Sequence, residues 1–111
     1  MNVEFELLDE LRKKTTDFIY PLSLEGVIVE PAFNELLSFT DNMTRVMKYE
    51  EFLPKNILKE LLLTINAMRS SSNKLNDKKL CEMIFKMEKN FNLIIVGESI
   101  DDRKPGVPRV I

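Results

Sequence analysis

Residues 54–68 read Pro-Lys-Asn-Ile-Leu-Lys-Glu-Leu-Leu-Leu-Thr-Ile-Asn-Ala-Met. Within this stretch Leu58, Leu61, Leu62, Ile65 and Met68 fall three and four apart, so they line one face of a helix. Ile57 and Leu63 lie off that face and widen the apolar arc beyond what a surface helix needs. A helix that is apolar nearly all round is buried among other elements. The stretch therefore predicts the central post of a small helical domain.

Upstream, Val3, Leu7, Leu8, Leu11, Thr15, Phe18, Ile19 and Leu22 recur at helical spacing. They predict a first helix over residues 3–20, ended by Pro21, whose ring and missing N–H disfavour continuation. Asp9–Lys13 and Glu10–Lys14 are i,i+4 pairs in the favourable order, each worth about 0.2–0.5 kcal/mol. Residues 22–30 then form a connection that turns at Gly26, with Val27, Ile28 and Val29 as coil packed on the helices. Pro31 suits a first helical position, and Phe33, Leu36, Leu37 and Thr40 mark a second helix over 31–40. That helix either breaks at Asp41 and Asn42, leaving a short one over 43–49, or runs through with a bend.

Downstream of the post, Arg69, Ser70, Ser71, Ser72 and Asn73 read as a polar loop. Asn76 is a good N-cap for a final helix, with Leu75 and Leu80 as its hydrophobic staple. Leu80, Met83, Ile84, Met87, Phe91, Ile94 and Ile95 keep one periodic face up to Gly97, which sits where a C′ glycine belongs. This favours a continuous helix over one that gives way to a strand at 93–96. The residues show no internal repeat. The expected fold is all-α: a small single-domain bundle of four to five helices over residues 1–97, with an irregular C-terminal tail. Two prolines and a glycine make residues 98–111 that extended or flexible tail, and its end is apolar at Val107, Val110 and Ile111.

Composition narrows the function classes. With 111 residues, 44% of them hydrophobic and 31% charged, the chain builds one domain with a core and a charged surface. A net charge of −2 lacks the basic excess of a general phosphate-backbone binder, so no nucleic-acid partner is expected. The apolar runs are far shorter than the roughly 20 residues that span a bilayer, so no membrane partner is expected either. Glu4, Glu6, Asp9 and Glu10 stand where a signal peptide would carry basic and then apolar residues. A single cysteine, Cys81, fits a reducing compartment, and the expected location is cytoplasmic.

The chemistry-bearing residues are few. Histidine is absent, which removes the commonest general base and the commonest zinc ligand. Cys81 falls within the last helix and reads as a small structural hydrophobe. Gly26, Gly97 and Gly106 are isolated, so no phosphate-cradling loop is present. Glu50-Glu51 and Asp101-Asp102 are adjacent pairs, which point in different directions on regular structure. Arg69, Lys74, Lys78 and Lys79 gather near one loop without the interleaved aromatics of a nucleic-acid site, and read as a solvated edge. Met43 and Met47, like Met83 and Met87, stand four apart as core filler. The residues therefore predict no catalytic, cofactor-binding or metal site, no cofactor and no enzyme.

The clearest asymmetry is charge. Residues 1–40 hold eight acidic and three basic side chains, whereas residues 74–111 hold six and eight. The expected function is a non-enzymatic, acidic protein-binding module, most concretely a small bacterial immunity protein or antitoxin. It would neutralise a basic toxin, such as a nuclease, by direct binding. Asp17, Glu25, Glu30 and Glu35, around the end of the first helix and the Gly26 loop, are the candidate partner-binding residues. The alternative expectation is a self-associating scaffold or regulator, a homodimer without a toxin partner.

Overall fold

Four amphipathic helices account for nearly all of the described chain, and each takes its limits from local chemistry. The computed structural model describes residues 3–102, with side chains from residue 6 onward. The helices are α1 (Val3–Glu25), α2 (Glu30–Val46), α3 (Lys55–Leu75) and α4 (Lys78–Val96), and a 3-10 turn, η1 (Ile100–Asp102), follows. The all-α expectation holds.

The first helix does not stop at Pro21. It runs one more turn to Glu25, although Pro21 supplies no N–H to the Asp17 carbonyl. Continuation places Leu22 in the core at 2% exposure. The helix ends instead at Gly26, whose φ of 68° is the left-handed conformation glycine adopts without strain. The Gly26 N–H donates to the Leu22 carbonyl at 3.0 Å, as in an αL cap. Residues 26–29 are coil, as expected, and Ile28 packs on the core.

The second helix runs straight through Asp41 and Asn42 to Val46. The third extends through the serines that read as a loop and stops only at Asn76, left-handed at φ 51°. Ser71 is buried on the core side of that extra length. Asn76 therefore closes α3, and the N-cap of α4 is Asp77, whose Oδ1 accepts the Leu80 N–H at 3.1 Å. The continuous last helix is present, and Gly97 at φ 78° ends it. Residues 98–102 fold back on α2, and the remainder of the expected tail, 103–111, lies outside the described residues.

Packing overturns the idea of a central post. Each helix packs chiefly on two others: α1 on α2 and α3, and α4 on α2 and α3. Thus α3 is one corner of a square, with Ile57, Leu61, Thr64, Ile65 and Met68 inward. Leu62 and Leu63 are about half exposed, at 45% and 53%. Ile57, which the spacing placed off the apolar face, is buried. The core is shared by all four helices, with the Phe18 and Phe33 rings 5.2 Å apart at its α1–α2 side. Met43, Met47, Met83 and Met87 are all buried there, as core filler.

The square has an unusual direction pattern. Thr15 of α1 meets Glu60 of α3, and Gly26 lies beside Leu75, so α1 and α3 run parallel. Thr40 meets Asn90 and Glu30 meets Lys79, so α2 and α4 run parallel too. The chain is therefore two α-hairpins, α1–α2 and α3–α4, stacked in the same orientation. Residue identities conceal this, but burial recurs at a spacing of fifty: Leu11 and Leu61, Phe18 and Met68, Phe33 and Met83, Thr40 and Asn90 are all buried. At the hairpin bends Gly26 and Asn76, also fifty apart, are both left-handed.

Candidate interaction surface

The four acidic candidates are all exposed, and the fold distributes them over the first hairpin. Glu25 is the last residue of α1 and Glu30 the first of α2, so they flank the Gly26 bend. Glu30 is already engaged in an ion pair with Lys79 across the hairpin stack. Asp17 lies two turns before Glu25, about 12 Å along the helix axis. Glu35 lies on a shallow depression of about 460 Å³ between α1 and α2, lined also by Lys14, Asn34, Ser38 and Phe39. The Lys14 ammonium sits 5.8 Å from the centre of the Phe39 ring, a cation–π contact on the floor of that depression. Asp17 follows Lys14 by three residues, on the neighbouring helical position.

Two grooves escaped the sequence reading because they depend on α1 and α3 running side by side. One, of about 180 Å³, lies between Thr15, Thr16, Ile19 and Tyr20 of α1 and Glu60, Leu63, Thr64 and Ala67 of α3. Its charge is committed: Glu60 accepts from the Thr15 hydroxyl and pairs with Arg12 at 3.6 Å. The other, of about 300 Å³, continues toward the hairpin bends past Ser23, Ser70, Lys74 and Leu75. Ala67 lines both. Hydroxyl and methyl side chains at these positions let the two helices approach.

At the opposite end of the molecule from the Gly26 bend, a polar cluster fastens η1 to α2. The Ile100 N–H donates to Thr44 Oγ1 at 3.0 Å. Arg45 pairs through two nitrogens with Asp101, and the Lys48 ammonium donates to Asp102 at 2.7 Å. Asp102 also accepts the Ser99 N–H at 2.8 Å. These bonds hold the Asp102 carboxyl below its ordinary range, through Lys48 first and the Ser99 N–H second. Lys48 is raised by its hydrogen bond to Asp102 and then by Tyr49, and Arg45 by its hydrogen bond to Asp101. The carboxylates here are occupied in holding chain to chain.

The remaining candidates are dispersed. Cys81 is exposed, contrary to its reading as a structural hydrophobe, and its Sγ lies 3.3 Å from Ser72 Oγ. Arg69 pairs with Glu88 and Lys79 with Glu30, so two of the four basic residues at the α3–α4 bend are tied into the fold. Among the described residues, no three His, Cys, Asp or Glu side chains are placed to hold a metal ion, and no helix is long and apolar enough to cross a membrane. Comparison with protein-family models, with curated proteins and with solved structures gave no match.

Proposed function

We propose that the chain is a non-enzymatic protein-binding module of the immunity-protein or antitoxin kind, which neutralises a basic toxin by covering part of its surface. The observation that carries this reading is the separation of charge between the two hairpins. Residues 3–46 hold nine acidic and four basic side chains, a balance of −5, whereas residues 55–96 hold four and eight, a balance of +4. Asp17, Glu25 and Glu35 stand exposed on the acidic hairpin, and Glu35 borders a depression with an aromatic floor. Exposed carboxylates on one hairpin, one of them beside a part-buried aromatic ring, suit a basic partner: long-range attraction speeds encounter, and covering the ring adds lasting affinity.

Co-expression with each neighbouring reading frame tests the reading. One neighbour should arrest growth when expressed alone, be relieved by this protein, and form a complex with it in gel filtration. Reversing Asp17, Glu25 and Glu35 together to lysine should slow association and remove much of its salt dependence. If no neighbour is toxic, or if relief survives the triple reversal unchanged, the reading fails.

A further inference from the structure

Among the described residues, the buried hydroxyls are hydrogen-bonded with one exception. Those of Thr15, Thr40, Thr44 and Thr64 each donate to a carbonyl of their own helix, and that of Ser99 reaches Asp102. The Ser71 hydroxyl makes no hydrogen bond among the described residues, although Ser71 is only 8% exposed. A buried hydroxyl left unbonded costs stability, so it points to a partner from outside the fold. Ser71 lines the groove of about 300 Å³ between α1 and α3, and the exposure it keeps opens there. Two charged residues line this groove and the neighbouring one of about 180 Å³. Glu60 is committed to Arg12 and Thr15. Lys74 is exposed and pairs with no carboxylate among the described residues. The uncommitted charge is therefore positive, and it stands three residues beyond Ser71 on α3.

We infer that the α1–α3 groove binds a medium-chain fatty acid, a single apolar chain ended by a carboxylate. The head sits at Ser71 and Lys74, where the hydroxyl donates a hydrogen bond to the carboxylate and the ammonium supplies the opposite charge. The chain runs past Ala67, which lines both grooves, to the apolar stretch between Ile19 and Leu63. From Ser71 back to Leu63 the α3 helix covers about 12 Å, a length that suits this class of chain. Tyr20 of α1 and Leu63 of α3, 64% and 53% exposed, wall that stretch, and a bound chain buries part of both. The carbonyl ends of α1 and α3 lie toward the Lys74 end of the groove and oppose a bare anion. Affinity therefore comes mostly from burial of the chain, and the head fixes its direction. The groove shares no residue with the Glu35 depression, so the inference is independent of any toxin partner.

Titration of the isotope-labelled chain with octanoate, followed by amide NMR, tests it. Octanoate should shift the amides of Tyr20, Ala67 and Ser71 saturably, below the concentration at which it forms micelles. Octanol should bind about tenfold more weakly, for want of the charge-assisted contact, and acetate and inorganic phosphate should give no saturable shift. Lys74→Gln, at an exposed position, should weaken octanoate about tenfold and leave octanol unchanged. Leu63→Asp, also at an exposed position, should abolish binding of both. Ser71→Ala should weaken octanoate several-fold while leaving the urea midpoint unchanged or higher, because the hydroxyl it removes is unbonded in the fold. Octanol or octylammonium binding as tightly as octanoate, shifts confined to other faces, or no saturable binding at all would overturn the inference. So would octanoate affinity indifferent to Lys74→Gln, or a lowered midpoint in Ser71→Ala.

Discussion

Asn90 donates its side-chain amide to Thr40 Oγ1 at 2.9 Å across the α2–α4 contact, and the same nitrogen donates to Asp41 Oδ1 at 2.8 Å. Thr40 is fully buried, and its own hydroxyl donates back to the Leu37 carbonyl at 3.0 Å. One amide thus fixes the lateral register of two parallel helices, where apolar contacts alone would tolerate sliding by a turn. Replacing Asn90 by alanine leaves a small cavity and deprives two acceptors of their donor, so a loss of about 2–3 kcal/mol is expected. Thr40→Val alone leaves Asn90 with Asp41 as acceptor and should cost less. In a double-mutant cycle by urea denaturation the two should couple by about 1 kcal/mol. Additive losses would show that the bond contributes nothing to the register.

Left-handed residues end the elements, and they predict opposite effects of substitution. Gly26→Ala and Gly97→Ala should each lose about 1 kcal/mol, because an alanine at positive φ is strained. A Cβ at Gly26 would also come within 3.3 Å of Leu75 Cδ2, whereas one at Gly97 meets nothing within 4 Å. The loss at Gly26 should therefore be the larger by a few tenths of a kcal/mol, since the half-exposed Leu75 tip can swing aside. Tyr49 runs the other way: it is 83% exposed at φ 73°, so strain there is offset by little packing. Tyr49→Gly should raise stability by about 0.5 kcal/mol, read as a shifted urea midpoint at constant slope.

Pro21 offers a sharper test. It sits inside α1, where it removes one backbone hydrogen bond and crowds the preceding turn. Pro21→Ala restores the donor to the Asp17 carbonyl. The gain in the helix outweighs the entropy that proline removes from the unfolded chain, which is about 1 kcal/mol at most. A net stabilisation of about 1–2 kcal/mol is expected by thermal or urea unfolding. A destabilised variant would mean that the Pro21 ring packs against its surroundings more favourably than the lost hydrogen bond costs.

These residues also show what the sequence could and could not disclose. Helix existence was legible, because 3.6-residue periodicity is a property of each segment alone. The stops were not, wherever a tertiary contact outbid a local signal: Leu22 carried α1 past Pro21, and buried Ser71 carried α3 through the serines. Asn76 and Asp77 are both good caps, and only the backbone angles show that one ends α3 while the other starts α4. Directions between helices lie further out of reach, since parallel α1 and α3 follow from the path of residues 47–54, which has no periodicity to read. The groove at Tyr20 and Leu63 shares that blindness. The acidic bias was plain from the residues, but not that Glu30 is engaged with Lys79.

The clasp at the end of α2 gives a pH prediction whose sign follows from its two partners. Asp102 has a folded-state value below the usual carboxylate range, so its contribution is present at pH above the unfolded value, near about 4. It is lost as pH falls through the lower folded value, where the carboxylate is protonated. Lys48 is raised, so its contribution is intact below the ordinary ammonium value, near about 10.4, and fades as pH climbs through the raised one. Between those limits the clasp should be indifferent to pH and weakened only by salt, because both partners keep contact with solvent. Hydrogen exchange at two backbone amides reads it directly. The Ser99 N–H is held by Asp102 and the Ile100 N–H by Thr44. Asp102→Asn should lower protection at Ser99 most, at every pH in the window. Thr44→Val should strip Ile100 of its acceptor and leave the Asp102–Lys48 pair in place. Protection at both amides that survives both substitutions would place the fastening of η1 in the buried contacts of Ser99 and its apolar neighbours instead.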